Sequence, residues 1–141
     1  MSPRSSLQRF VDAQDAGGTY EGARAELAAG RKTTHWMWFV FPQVAGLGRS
    51  VTAREFAIAS LREAVDYLEH PVLGPRLRQC ATALLDHPER SAEEILGGID
   101  AMKLRSSMTL FARADPSEEV FTMVLDRFFG GEADPETLKR I

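Results

Sequence analysis

The sequence predicts an all-α fold, a single compact domain of about eight or nine short helices with no sheet. Apolar residues recur every three or four positions in most segments, as they do on one face of a helix. No segment alternates apolar and polar residues between turn residues, as a strand would. Because 141 residues are enough for one hydrophobic core, residues 1–141 are expected to form one domain.

Two helices are predicted in the N-terminal part of the chain. Leu7 and Phe10 stand at helical spacing and indicate a first helix over about residues 6–15. Thr19–Ala29 follows two glycines and carries a second apolar stripe. Gly30 then stands where a left-handed helix C-cap belongs, so the second helix should end there.

The stretch Arg31–Gly48 reads RKTTHWMWFVFPQVAGLG and holds both tryptophans of the chain. It predicts a helix over 35–41, capped by Thr33 or Thr34 and apolar on almost every side. Pro42 should stop this helix, because proline disfavours helical geometry in the residue before it. A helix of this composition has to be buried on most of its sides.

Helix start signals recur through the remainder of the chain. Ser60 with Glu63 and Ser91 with Glu94 have the spacing of capping boxes. Further helices are predicted to begin at Ser50 or Thr52 (with Phe56 and Ile58 inside), near Pro71, at Asp100 as the cap of 101–113, at Asp115-Pro116, and at Asp134-Pro135.

Composition and charge argue against several classes of protein. The net charge is −3 and no basic stripe is present, which disfavours nucleic-acid binding. No apolar run approaches the roughly 20 residues that a membrane helix needs, so no membrane partner is expected. The chain opens without an apolar signal region and has the single Cys80, so we expect a cytoplasmic protein. His35, His70 and His87 are far apart in sequence, and neither a metal nor a cofactor is predicted.

His35 is the first candidate for chemistry. One interpretation is a buried, neutral histidine that packs beside the tryptophans; the other is a ligand-contacting or acid–base residue in an aromatic pocket. Arg31 and Lys32 precede it at the predicted helix start, where cations and backbone N–H groups would favour an anion. Solvated surface charges are the alternative interpretation of these two cations.

Trp36 and Trp38 cannot share a helical face, because residues two apart are about 200° apart around the axis. We expect one in the core and the other facing a groove or a second layer. Gln43 and Glu26 are weaker polar candidates. Glu26 would serve as a general base only if it faced the His35 pocket.

A second candidate stretch, DAMKLRSSMTLF, covers residues 100–111. Lys103 and Ser107 are one helical turn apart, and Arg105 lies between them. In the functional interpretation these cations and hydroxyls converge on an anion. In the structural alternative, the small residues allow close helix contact while their hydroxyls bond back to carbonyl groups.

At these stretches the chain resembles the uncharacterised bacterial family called domain of unknown function 1810, in the strings LQRFVDAQ, AELAAGRKTTHWMWFVFPQVAGLGRS, FAIASLREAVDYLEHPVLGPRL and DAMKLRSSMTLF. The resemblance implies a small, all-helical, single-domain protein and no established activity. Some members carry the label calpastatin, but calpain inhibitors are disordered and this chain is rich in core residues. Phe56 departs from the family pattern, where a tyrosine is expected.

A more distant likeness is to the all-helical NADAR-type N-glycosidases, named for NAD and ADP-ribose. Their acidic and Trp-Gly motifs do not align with this chain, so the likeness suggests a ligand class and no residue. We therefore hypothesise a pocket for an anionic, nucleotide- or ADP-ribose-like small molecule. Its ligand-binding residues would be Lys32, His35, Trp36, Trp38, Gln43, Lys103, Arg105 and Ser107.

Two further functional interpretations follow from the same residues. In one, the pocket also hydrolyses the N-glycosidic bond, and the catalytic candidates are Glu26, His35 and Asp100. In the other, the protein is a non-catalytic interaction module whose acidic helices after residue 114 face a partner. The aromatic block would then be plain core.

Overall fold

Glycine and proline residues divide the chain into short helices. A computed structural model describes the backbone of residues 3–141 and the side chains from residue 7 onward. A 3₁₀ turn at Ala16–Gly18 joins the first two of its α-helices. The helices are α1 (Pro3–Asp15), α2 (Thr19–Ala29), α3 (Met37–Val40), α4 (Val51–Glu55), α5 (Leu61–Glu69), α6 (Leu73–Leu85), α7 (Ala92–Leu96), α8 (Gly98–Ala114), α9 (Glu119–Phe129) and α10 (Pro135–Leu138).

The longest helix, α8, runs through the centre of the fold. Its apolar stripe, Leu104, Met108 and Phe111, is completely buried, as the spacing predicts. Helices α5, α7, α9 and α10 pack around it. Aromatic rings extend the core on either side, because Phe111 lies 5.3 Å from Tyr67 and 5.9 Å from Phe121 between ring centroids. The all-α prediction is confirmed for residues 3–141, where the single β-type pairing is an isolated bridge.

The N-terminal helices close the other side of the core. Helix α1 packs against α2, α3 and α5, and its Phe10 ring meets Tyr67 edge-on at 5.3 Å. Gln14 is buried among them and donates from Nε2 to the Phe39 carbonyl at 2.8 Å. A buried amide of this kind is stabilised only when its polar atoms are paired. No helix that the structure describes has both the length and the apolar character needed to cross a membrane.

Local signals predict several helix ends correctly. Helix α2 has the predicted limits, and Gly30 ends it in the left-handed conformation with φ of 76°. Ser91 and Glu94 form the complete capping box of α7. Asp134 caps α10 through the Thr137 N–H.

The helix predicted over 35–41 is much shorter, because α3 begins only at Met37 and ends at Val40. Thr33 and Thr34 do not cap it; their backbone N–H groups bond to the Glu26 carboxylate instead. A four-residue helix leaves the predicted anion site at its start without a basis. The apolar block is nevertheless buried at most of its positions.

Four other sequence expectations need correction. Helix α9 begins at Glu119 and not at the predicted Asp115-Pro116. Ile58 lies outside α4, in the isolated bridge with Val44. Ser60 caps α5, but Glu63 accepts from Ala59 N–H, so the reciprocal half of the predicted capping box is displaced by one residue. Asp100 does not cap α8, which begins two residues earlier at Gly98. Asp100 therefore lies within the first turn, and its side chain is available for other partners.

Trp36→Ala should destabilise the fold more than Trp38→Ala. Trp36 is 1% exposed and its ring packs 6.2 Å from Phe41, whereas Trp38 is only half-buried. We expect a loss of about 3–5 kcal/mol in the free energy of unfolding for Trp36→Ala. Urea melts of both variants measure the difference, and an equal or larger loss for Trp38→Ala would contradict this assignment of the core.

Ser60→Ala should cost about 1 kcal/mol in the free energy of unfolding. The Ser60 hydroxyl accepts from the Glu63 N–H at 3.2 Å, and the substitution removes this cap. Thermal melts measure the loss. Thr82→Ala, which removes an exposed hydroxyl inside α6 that caps no helix, is the control and should lose less stability.

Candidate functional site

The Glu26 carboxylate shapes the polar segment before α3. One oxygen, Oε1, accepts from the Thr33 N–H at 2.6 Å, the Thr34 N–H at 3.0 Å and the Trp36 indole Nε1 at 2.9 Å. The other, Oε2, accepts from the Thr34 hydroxyl at 2.5 Å. Burial raises the pKa of Glu26, but these hydrogen bonds outweigh burial and lower the pKa to about 2. The carboxylate is therefore ionised and fully engaged by the chain.

This arrangement turns Lys32 towards the interior. The Lys32 N–H donates to the Ile95 carbonyl at 2.7 Å, which ties the segment to the end of α7. The side chain of Lys32 is only 9% exposed, and its Nζ lies 2.8 Å from Asp100 Oδ2. The ammonium also lies 5.3 Å from the centroid of the Trp36 ring. Lys32 is therefore not a solvated surface charge, whereas Arg31 is exposed.

Asp100 is shared between two lysines. Lys103 Nζ lies 3.0 Å from Asp100 Oδ1, one turn along α8 from the carboxylate. The same ammonium lies 4.0 Å from the centroid of the Trp38 ring, a cation–π geometry. Burial raises the pKa of Asp100, but the two ammonium groups outweigh burial and hold the pKa below its usual range. Two cations thus meet one carboxylate beside two aromatic faces.

Two adjoining concavities surround this group. The main cleft, of about 340 Å³, is lined by Trp38, Gln43, Leu47, Gly48, Ile99, Met102, Lys103, Arg105, Ser106, Asp134 and Glu136. The lysine pocket, of about 50 Å³, is lined by Lys32, His35, Trp36, Met37, Trp38, Asp100 and Lys103. Trp38 and Lys103 belong to both, so the two concavities share one wall. Most of the predicted ligand-binding residues therefore come together.

The loop after α3 forms a further concavity of about 130 Å³. Gln43, Gly48, Ala53 and Phe56 are among its lining residues, and Trp38 again contributes. Gly48 brings this loop close to α4, because a Cβ atom there would lie 2.5 Å from the Ala53 Cβ. The Phe56 ring faces Phe39 at 4.7 Å between centroids and is held by packing alone.

Some of the predicted site residues line the concavities and others do not. His35 is exposed and lines the lysine pocket, so the interpretation of a buried neutral histidine is wrong. Trp36 is the core tryptophan and Trp38 faces the clefts. Gln43 lines the main cleft. Glu26 lines neither concavity and is occupied by the segment that it caps.

Arg105 and Ser107 have structural surroundings. Arg105 donates from Nε to the Glu132 carbonyl at 2.9 Å and from Nη2 to the Ala133 carbonyl at 2.8 Å, so its guanidinium holds the segment before α10. Ser107 is completely buried in the contact surface of α8, and its hydroxyl has no hydrogen-bond partner among the described residues. Arg105 lines the main cleft with Lys103, although its guanidinium is also bonded to these carbonyls, whereas Ser107 lines neither the main cleft nor the lysine pocket.

The sequence does not predict several residues that line the main cleft. Ile99 and Met102 are 75% and 72% exposed on the first turns of α8, an unusual placement for large apolar side chains. Asp134 and Glu136 reach the cleft from α10. Ile99 and Met102 could have been noticed in the sequence, because they are apolar residues outside the buried stripe of α8. The contribution of α10 to the cleft could not, because it depends on a tertiary contact.

Asp134 supplies a carboxylate to the lining of the main cleft. It accepts from the Ser106 hydroxyl at 2.9 Å and from the Thr137 hydroxyl at 2.6 Å. Burial raises the pKa of Asp134, but these hydrogen bonds outweigh it and hold the pKa below its usual range. Among the described residues, no three or more His, Cys, Asp and Glu side chains are arranged to hold a metal ion.

Comparison with known proteins agrees with this fold. The family described as "Protein of unknown function (DUF1810)" matches residues 4–141. The chain is also similar to the conserved hypothetical protein Rv1873 from Mycobacterium tuberculosis, with 49% identity, a TM-score of 0.91 and coverage of 94% of each chain. None of the curated proteins matches it. The family resemblance is confirmed, and these descriptions state no activity.

Glu26→Gln should lower the free energy of unfolding by about 1–3 kcal/mol, because it weakens hydrogen bonds to a charged acceptor. Since the pKa of Glu26 falls from 4.5 to about 2 on folding, its stabilisation is complete above pH 4.5. It is lost as the pH falls towards 2. The difference in Tm between the wild type and Glu26→Gln should therefore shrink on acidification.

Glu21→Gln is the matched control, since Glu21 lies exposed on the same helix. Thermal melts between pH 6 and pH 3, roughly the window set by the pKa values, make the comparison. A constant difference in Tm across this range would show that the charge of Glu26 does not stabilise the segment.

Proposed function

The chain belongs to the DUF1810 family of proteins of unknown function, and we propose that it binds an anionic, nucleotide- or ADP-ribose-like small molecule in the main cleft. The observation that carries the proposal is the pair of Lys103 and Trp38. The Lys103 ammonium lies 4.0 Å from the Trp38 ring centroid, and both side chains line the cleft. One wall therefore offers an aromatic face and a cation within a single ligand's reach.

The walls of the cleft suit a ligand that is partly planar and partly polar. Trp38 and Met102 offer apolar surface against which a base or ring can stack. Gln43 and Asp134 supply an amide and a carboxylate that can fix hydroxyl and amino groups. The volume of about 340 Å³ falls within the range of small-molecule sites.

Charge favours an anion at the Lys103 end of the cleft. Among the described residues, Asp100 is the carboxylate that pairs with Lys103, and it also pairs with Lys32. The group of three side chains therefore carries one excess positive charge at neutral pH. A phosphate placed against Lys103 would neutralise that charge in a partly desolvated site, where ionic hydrogen bonds are strongest.

Hydrolysis of the N-glycosidic bond is a further hypothesis that the geometry supports less directly. Such a reaction needs a carboxylate or a positioned water beside the sugar carbon. Glu26 lines neither the main cleft nor the lysine pocket, and Asp100 is ion-paired with two lysines. His35 is exposed at the lysine pocket. To test this step, the protein is incubated with nucleotides and the released free base is measured by chromatography. If no base is released, the proposed function is restricted to binding.

The alternative of a non-catalytic interaction module accounts for only part of the aromatic block. Trp36 is plain core in either case. The α9 residues Phe121 and Val124 are buried against the rest of the fold, so the apolar face of this acidic helix is already occupied. The interaction hypothesis gives no role to Trp38, which lines three concavities.

Lys103→Met should weaken the binding of ADP-ribose by about tenfold or more, because it removes the ammonium that contacts the phosphate. Methionine keeps much of the apolar contact with Trp38. Isothermal titration calorimetry of the wild type and the variant measures the change. Arg113→Met, an exposed cation near the end of the same helix, is the matched control and should bind like the wild type.

Trp38→Leu tests the aromatic wall separately. It should weaken ADP-ribose and AMP alike, since both present the same base for stacking. Wild-type protein that fails to bind ADP-ribose, AMP and ADP at millimolar concentration, or equal affinity in Lys103→Met, would overturn the proposed function.

A further inference from the structure

We propose that the lysine pocket is an oxyanion subsite that takes the second phosphate of the ligand, so that the site selects nucleoside diphosphates over monophosphates. This inference rests on the proposed function, because the base and first phosphate would occupy the main cleft. The subsite itself is built by Lys32, Lys103 and Asp100, with His35 at its margin.

The lysine pocket contains two largely buried positive charges and one largely buried negative charge. The exposed fractions of the side chains of Lys32, Asp100 and Lys103 are 9%, 17% and 19%. Among the described residues, Asp100 is the carboxylate that forms an ion pair with either lysine. Burying a charge is costly unless a counter-charge accompanies it. One positive charge is left over here, and a bound oxyanion would supply the missing counter-charge.

The ammonium groups of Lys32 and Lys103 have N–H groups that do not bond to Asp100. Each lysine ammonium carries three N–H groups. Lys32 and Lys103 each direct one towards Asp100, on opposite carboxylate oxygens. The remaining N–H groups of the two lysines can donate to one ligand group. Asp100 then acts as a positioning residue that holds both ammonium groups at the same pocket.

The lysine pocket and the main cleft share one wall. Lys103 and Trp38 line the main cleft as well as the lysine pocket. A ligand with its base against Trp38 and its first phosphate on Lys103 can therefore pass its next phosphate to Lys32. The pocket volume of about 50 Å³ exceeds the roughly 10–15 Å³ that one water molecule needs, but it is far too small for a base or a sugar.

Lys32→Met separates the subsite from the main cleft. It removes the ammonium while keeping an unbranched side chain beside Trp36. We expect it to weaken ADP and inorganic pyrophosphate by about tenfold and to weaken AMP by clearly less, because AMP has no second phosphate to contact Lys32. Calorimetry in magnesium-free buffer measures all three. Arg31→Met, an exposed neighbouring cation, should behave like the wild type.

Inorganic pyrophosphate makes the two proposals separable, since it has no base to stack. Binding of pyrophosphate that depends on Lys32, without binding of AMP or ADP-ribose, would support the subsite and overturn the proposed function. Nucleotide binding with equal affinities for AMP and ADP, or with Lys32→Met unchanged for ADP, would overturn the subsite and leave the proposed function standing.

Asp100→Asn provides an independent readout of stability. It leaves two buried ammonium groups without a carboxylate, so its Tm should fall in a buffer poor in multivalent anions. Millimolar pyrophosphate should raise the Tm of Asp100→Asn more than that of the wild type, because the anion replaces the lost charge. Asp115→Asn, whose carboxylate accepts from Ser117, should show no extra rescue. Equal shifts in all three proteins would overturn the subsite.

Discussion

The ionised carboxylate of Glu26 is the interaction on which the loop before α3, and with it the proposed binding cleft, depends. It gathers two backbone N–H groups, a hydroxyl and an indole N–H from Thr33, Thr34 and Trp36. A segment that would otherwise lengthen α3 is held as a tight loop. That loop sends the Trp36 ring into the core and the Lys32 side chain to Asp100. The Glu26 side chain on α2 therefore fixes both the packing of the Trp36 ring and the ion pair between Lys32 and Asp100.

The lysine pair shows a second constraint, which is the cost of placing like charges together. Lys32 and Lys103 converge on one carboxylate although an exposed position for either would avoid desolvation. The cation–π contact of Lys103 with Trp38 offsets part of this cost. An arrangement that is poor for stability alone is the kind expected where a protein meets an anionic partner.

Local chemistry explains which features the sequence predicts. The limits of α2, the Gly30 cap and the Asp134 cap depend on neighbouring residues, and all three are confirmed. The helix expected over 35–41 is shortened because Glu26, nine residues before His35, accepts from the Thr33 and Thr34 N–H groups and the Thr34 hydroxyl, so neither threonine is free to cap a helix. Similarly, the pattern on α8 marks Arg105 as a cation near Lys103, but it cannot reveal that the guanidinium is occupied by Glu132 and Ala133 carbonyls. Tertiary contacts decide such cases.

The two hydrogen bonds from Arg105 to the chain before α10 also have a kinetic consequence. They join the middle of α8 to residues 27 and 28 positions further along, and this late segment brings Asp134 and Glu136 to the cleft. During synthesis, the helices around Phe111 can begin to pack while one wall of the cleft is still missing. The proposed site therefore gains Asp134 and Glu136 only when this late segment is in place, and without it the cleft would lack one wall.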